Sequence, residues 1–167
     1  MTPANVSYYY PSIFDLYAGA FEVVTEQFVQ DRQLRVERVD GPIAKLIECI
    51  RLGVPTPGTS SLSAALLVGE LAILTNRRVE LRASALQFEA DQIALFAEIL
   101  NAGVAAGVFT PVWPVPDAAR LLLAGEDGLA TAVIAERISP DESVRLLLEH
   151  ASVITGCELV DHAAGSR

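Results

Sequence analysis

Histidine and cysteine each occur only twice in the 167 residues, and tryptophan and methionine once. His150 and His162 lie twelve residues apart, with no His-x-x-x-His or Glu-x-x-His spacing. A di-iron bundle needs Glu-x-x-His on each of two helices plus further glutamates, so that class is excluded and no metal is expected. Cys49 and Cys157 form no Cys-x-x-Cys pair, which removes zinc ribbons, thioredoxin-type chemistry and disulfide scaffolds. Both thiols are expected to be free in a reducing compartment. Basic residues are also few: 12 Lys and Arg stand against 21 Asp and Glu, a formal charge of −9. A broad phosphate-gripping surface needs the opposite balance. The start, MTPANVSYYY, has no basic region followed by an apolar run, so no secretory leader is read there. The longest apolar stretch, Leu62 to Leu74, contains Glu70 and falls short of the roughly 20 apolar residues that cross a bilayer. These absences together predict a cytoplasmic protein with no cofactor and no membrane association.

What the chain does have is apolar content, 51% of its residues, and helical periodicity. A chain of this size buries roughly two-thirds of its unfolded surface, enough for one self-sufficient core. Phe14, Tyr17, Phe21, Val24 and Phe28 step by three and four, which predicts a helix from Ser12 to Val36 after Pro11. Ile43, Leu46, Ile47, Ile50 and Val54 repeat the pattern after Gly41-Pro42, and Pro55-Thr56-Pro57-Gly58 reads as a turn. Thr59 to Thr75 is apolar on nearly every side, as for a central helix packed all round. A long helix follows from Val79 to Ala106, its buried face marked by Leu86, Ile93, Phe96 or Ala97, Leu100 and Val104. Gly107 ends it, and Pro111, Pro114 and Pro116 make a stiff linker. Asp117 is placed to cap the next helix, and Ser139-Pro140-Asp141-Glu142 is a capping box that opens the last long one. The small, polar tail after Val160 is expected to fray. No segment alternates as a strand does, so the fold class is all-α.

Catalytic constellations are absent. Gly125-Glu126-Asp127-Gly128 sits inside a helical pattern and follows no strand, so it is not a phosphate loop. Cys49 lies on an apolar helix face and reads as a small core residue. Glu48, Glu70 and Asp127 stand in apolar company, with Arg51, Arg77, Arg78 and Arg82 available as partners. A carboxylate in such company either reaches an arginine or solvent at the core edge, or orients a ligand; the second reading is sharpest for Glu70, whose helix is apolar nearly all round. Tyr8, Tyr9 and Tyr10 are consecutive, and successive helical residues point about 100° apart, so at least one must face outward.

The stretch Ala4-Asn5-Val6-Ser7-Tyr8-Tyr9-Tyr10-Pro11-Ser12-Ile13-Phe14-Asp15-Leu16 resembles the end of the DNA-binding domain of TetR-type transcriptional regulators. Val6 resembles the anchor of the recognition helix, Tyr10 its closing aromatic, Pro11-Ser12 the turn, and Asp15-Leu16 the opening of the connecting helix. Gly103-Val104-Ala105-Ala106-Gly107-Val108-Phe109, Asp117-Ala118-Ala119 before Asp127-Gly128-Leu129, and Thr155-Gly156-Cys157-Glu158-Leu159 are similar to later parts of the same family, in order. Two features depart from it. The chain as given starts almost at the recognition helix, without the two helices that precede it, and Ile13 stands where the family has a Lys.

The resemblance implies a TetR-like helical ligand-binding and dimerisation domain over 12–167, preceded at 1–11 by a remnant of the helix-turn-helix recognition helix. Pro3, Ala4, Asn5, Ser7, Tyr8 and Tyr9 take the positions that face DNA, and operator binding is expected only with the missing helices restored. A small-molecule effector of unknown identity is expected among the middle helices, lined by Tyr17, Phe21, Glu70, Phe88 and Trp113. Homodimerisation is expected through the last two long helices. Their apolar residues exceed one stripe, and Leu121, Ala124, Gly128, Ala132, Leu147, Ala151 and Ile154 are the expected contacts. The functional expectation is a ligand-responsive regulator, a repressor by family resemblance. The competing reading is a stand-alone ligand-binding or dimerisation module without DNA binding. An enzyme is not expected, because residues for acid–base or metal chemistry are lacking.

Overall fold

Burial along the first helix follows a stripe that is only partly apolar. Phe21, Thr25, Phe28, Arg32 and Val36 are all buried, spaced by three and four so that they share one face. That helix, α1 (Ile13–Glu37), is followed by α2 (Pro42–Gly53), α3 (Ser60–Thr75), α4 (Val79–Ala105), α5 (Val115–Ile134), α6 (Pro140–Thr155) and α7 (Leu159–Ala164). The structure is a computed structural model and describes residues 13–75 and 79–164, among which every regular element is a helix. The all-α expectation and the main helix positions agree with it. The recognition-helix remnant lies outside the described residues, as do Arg77 and Arg78.

The core gathers toward one end of the molecule. Leu46, Ile47 and Ile50 of α2 meet Leu95, Phe96, Ile99 and Leu100 of α4, Leu122 and Leu123 of α5, and Leu147, Leu148 and Ile154 of α6. Leu159 of α7 closes that end, so the segment after Gly156 is ordered as a short helix through Ala164 and not frayed from Val160. Gly103 lets α4 terminate tightly: its carbonyl accepts from the N–H groups of Val108 and Phe109, at 3.0 and 3.2 Å, and the Phe109 ring folds into the space a side chain at 103 would fill. The proline-rich linker is then tied to the end of α6, the N–H groups of Thr110 and Val112 donating to the carbonyls of Thr155 and Ile154. At Ser139 the capping box forms as expected, with the Glu142 N–H donating to the Ser139 hydroxyl at 3.1 Å.

Three local expectations are corrected. Pro114, not Asp117, is the N-cap of α5; Asp117 sits inside the first turn, where its charge complements the helix dipole. On α4, Leu86 and Val104 are exposed, because the buried face runs instead through Leu81, Gln92, Leu95, Phe96 and Ile99. Finally, α3 is not packed all round. Ser61 and Ala64 are buried, while Leu66, Gly69 and Glu70 are exposed. Its small residues leave room on the inner side instead of filling it.

Candidate functional site

Toward the C-terminal end of α1, the arginine on the buried stripe crosses the interior. Arg32 Nε and Nη2 donate to the Cys49 carbonyl on α2 at 3.2 and 2.8 Å. Nη1 donates to Gln92 Oε1 on α4 at 2.8 Å and to Glu126 Oε1 on α5 at 3.0 Å, and Nη2 donates to Glu126 Oε2 at 2.5 Å. A guanidinium has five N–H donors, and these bonds engage all of them. The cation also lies 5.5 and 5.0 Å from the ring centroids of Phe28 and Phe96, within cation–π range. Burial disfavours the charge of Arg32, yet Cys49 and Glu126 hold it there and its pKa stands above the ordinary value. On Glu126, burial acts in the opposite sense to Arg32 and keeps the carboxyl above its ordinary value. Gly53 makes the pair possible: a β-carbon there would overlap the Glu126 carboxylate, so the end of α2 can pass α5 only without a side chain. The Cys49 thiol is pushed up to about 11 by burial, and is therefore protonated and unreactive at neutral pH.

Beside this cluster lies a cavity of about 380 Å³. Five helices wall it: Phe28 from α1, Gly53 from α2, Ala64, Ala65, Val68 and Gly69 from α3, Phe88 and Gln92 from α4, and Glu126, Asp127, Ala130 and Ile134 from α5. A second space of about 210 Å³ shares Val68, Phe88, Gln92 and Asp127 and adds Phe21 and Glu89. Phe88 meets Phe21 and Phe28 edge-to-face, with centroids 6.2 and 5.8 Å apart. Asp127 stands at the rim, where the residue is exposed while its carboxyl lies close to Glu126 and Glu89. Its carboxyl is pushed up to about 6, first by burial, then by the neighbouring charges of Glu126 and Glu89, with Arg32 opposing.

Of the five expected effector residues, the structure brings together Phe21 and Phe88. Tyr17 is 41% exposed on α1, and Glu70 is exposed on α3. Trp113 is 42% exposed in the linker and forms no part of the cavity wall, because the linker is bound to the end of α6. Of the three carboxylates in apolar company, Glu48 accepts from Arg35 at 2.9 Å at the surface, and Asp127 borders the cavity. Arg32, Gln92 and Glu126 were not anticipated. Their signal was in the sequence: Arg32 falls four residues after Phe28 and four before Val36, on the apolar stripe itself, and Glu126 falls four after Leu122 on its own. In the expected dimer surface, Leu147, Ala151 and Ile154 belong to the chain's own core, since α6 packs against α2, α5 and α7. Leu121, Ala124 and Gly128 are exposed, and Ala132 is half-buried. Among the described residues, no group of three His, Cys, Asp or Glu side chains is placed to hold a metal ion, and no helix is long and apolar enough to cross a membrane.

No protein-family model matches the chain, and no curated protein matches it. Solved structures do. A TetR transcription regulator from Haloarcula marismortui superposes with a TM-score of 0.76 at 22% identity, over 92% of this chain and 81% of that one. The fold is that of the TetR-family transcriptional regulators. A protein from Rhodococcus sp. assigned to the TetR family gives a TM-score of 0.77 at 16% identity, over 93% of this chain and 81% of that one. A protein from Saccharomonospora viridis assigned as a transcriptional regulator, solved in complex with choline, gives 0.77 at 20% identity, over 88% and 77%. The TetR-like helical architecture expected from the sequence is thus the one observed.

Proposed function

We propose that this chain is the effector-binding and dimerisation body of a ligand-responsive transcriptional regulator, a repressor by family resemblance, working in the cytoplasm. The observation that carries this reading is the five-helix cavity beside the Arg32–Glu126 pair, in a fold shared with TetR regulators. A volume of about 380 Å³ suits a small organic molecule, since ligand pockets fall at roughly 300–1,000 Å³. The choline complex of the Saccharomonospora protein supports a small effector in such a fold. Pro3, Ala4, Asn5, Ser7, Tyr8 and Tyr9 keep the proposed DNA-facing role, in a chain that carries the rest of the helix-turn-helix. The experiment is a melting-temperature screen against a chemically diverse library, because a ligand that binds only the folded state raises the midpoint by mass action. Compounds that shift the wild type and fail to shift Ala65→Phe, which fills the cavity, support the reading; no shift by any compound, or shifts unchanged in Ala65→Phe, overturns it.

The same reading includes a homodimer. Leu121, Ala124 and Gly128 lie three and four apart on the outer face of α5, and Val153 of α6 is 67% exposed. His150 links the two helices, its Nε2 lying 3.2 Å from the Leu121 carbonyl. A flat face of small and apolar residues on two paired helices suits a twofold contact with its own copy.

A further inference from the structure

The cavity has an uneven distribution of charge. Three carboxylates, Glu89, Glu126 and Asp127, border it and its smaller neighbour; among the described residues that act on Asp127, Arg32 is the only cation, and it lies behind the wall. All five donors of Arg32 are engaged by Cys49, Gln92 and Glu126, so it has none to offer an anion. Asp127 makes no side-chain hydrogen bond or ion pair with any described residue. Gln92 adds a second constraint. Its Oε1 must face Arg32, because a guanidinium only donates. Its amide nitrogen therefore points away from Arg32, in a side chain only 6% exposed that forms part of the cavity wall, and donates to no described residue. The remaining walls are alanines, glycines, Val68, Ile134, two phenylalanines, and the hydroxyls of Ser61 and Thr131, which already donate to the carbonyls of Val54 and Asp127.

We propose that the cavity selects an organic cation that also carries a hydrogen-bond acceptor, its charge held at Asp127 and its acceptor by the Gln92 amide nitrogen. This rests on the reading of the cavity as an effector site. A neutral occupant offers the Asp127 carboxylate at most a hydrogen bond in place of water, whereas a cation also offsets its charge. An anion meets two uncompensated carboxylates. A bare metal ion finds too few oxygen ligands against apolar walls. Phe28 and Phe88 give the cavity an apolar surface, which suits an alkylammonium better than a strongly hydrated ion.

The test uses three probes that share one hydroxyl-ended chain: (6-hydroxyhexyl)trimethylammonium, 1,6-hexanediol and 6-hydroxyhexanoate. Binding is measured by calorimetry at neutral pH in wild type, Asp127→Asn and Glu70→Gln, each first shown to be folded by circular dichroism. The expected result is that the ammonium binds at least about tenfold tighter than the diol or the acid, through Coulombic attraction to Asp127, since a quaternary ammonium has no N–H to donate. Asp127→Asn loses that preference with diol binding unchanged, and Glu70→Gln, which alters an exposed acid on α3, keeps it. Equal ammonium binding in Asp127→Asn, or tighter binding of diol or acid in wild type, overturns the proposal and leaves the effector reading standing. Silence from all three probes overturns it as well; only a library screen that also finds no ligand takes the effector reading down with it.

Discussion

Arg32 and Glu126 are charged, buried and bound to each other, and their removal has unequal consequences. Arg32→Ala leaves the Glu126 carboxylate buried without a partner, a change that costs about 3–5 kcal/mol, and chemical denaturation will show it as a lower midpoint. Arg32→Met combined with Glu126→Leu removes both charges and is expected to recover most of that loss. Gly53→Ala is predicted to be costly in the wild type, because the new methyl meets the Glu126 carboxylate, and nearly harmless in Glu126→Ala, where that space is empty. Equal costs in the two backgrounds would show that Gly53 is required for its backbone alone. Asp127 supplies a pH signature. Its carboxyl is raised from 3.8 to about 6 in the folded chain, so the folded state holds the proton more tightly than the unfolded one. It therefore contributes stability below the lower value that is lost as pH rises through about 6. The groups that face it are Glu126 on α5, Glu89 on α4 and Arg32 on α1. The melting temperature of wild type relative to Asp127→Asn should fall from pH about 4 to about 6.5, and a flat difference rejects the assignment.

Among the elements, α6 offers the cleanest test, because its capping box joins sequence and geometry without help from the core. Ser139→Ala removes the acceptor of the Glu142 N–H and should cost about 1 kcal/mol, read as a lower thermal midpoint. The positions of the helices were legible because turns and caps are local: Gly41-Pro42, Pro55-Thr56-Pro57-Gly58 and Ser139-Pro140 punctuate the chain wherever it is packed. Which face of each helix is buried was less legible. The apolar run of α3 read as a helix surrounded on all sides, but apolar content does not distinguish a side chain in contact from one beside empty space, and Ala64, Ala65 and Gly69 border a cavity. The polar cluster escaped notice for a related reason. Periodicity counts apolar residues, so Arg32 on the α1 stripe reads as an interruption, and its partner lies 94 positions away. Asp127 was visible as a carboxylate in apolar company; that Glu48 faces a surface arginine and Glu70 faces outward depended on packing that no local pattern carries.

Across the whole molecule, the apolar core is drawn mainly from α2, α4, α5 and α6, while α1 and α3 help to bound the cavity, and Gly53 and Glu126 serve both the cavity wall and the stability of the subunit. The dimer is the property that belongs only to this scale. Val153→Glu and Ala124→Glu place charges on the exposed face of α5 and α6 without entering the core. Both are expected to give folded monomers, whereas the wild type elutes as a dimer at micromolar concentration in size-exclusion chromatography with light scattering. A wild-type monomer, or dimers in both variants, would place the contact elsewhere. Leu147→Glu is a poor test of the interface, since Leu147 is 3% exposed and its replacement unfolds the subunit before it separates two of them.

The closeness of Gly53 to Glu126 also has a consequence in descent. While the acid remains, position 53 has no alternative to glycine; once the acid is lost, position 53 is released to drift. A set of related sequences should therefore show the two positions changing in a fixed order, the acid first and the glycine after it. A lineage that carries a side chain at 53 while retaining both Arg32 and Glu126 would have had to move α2 away from α5 to survive.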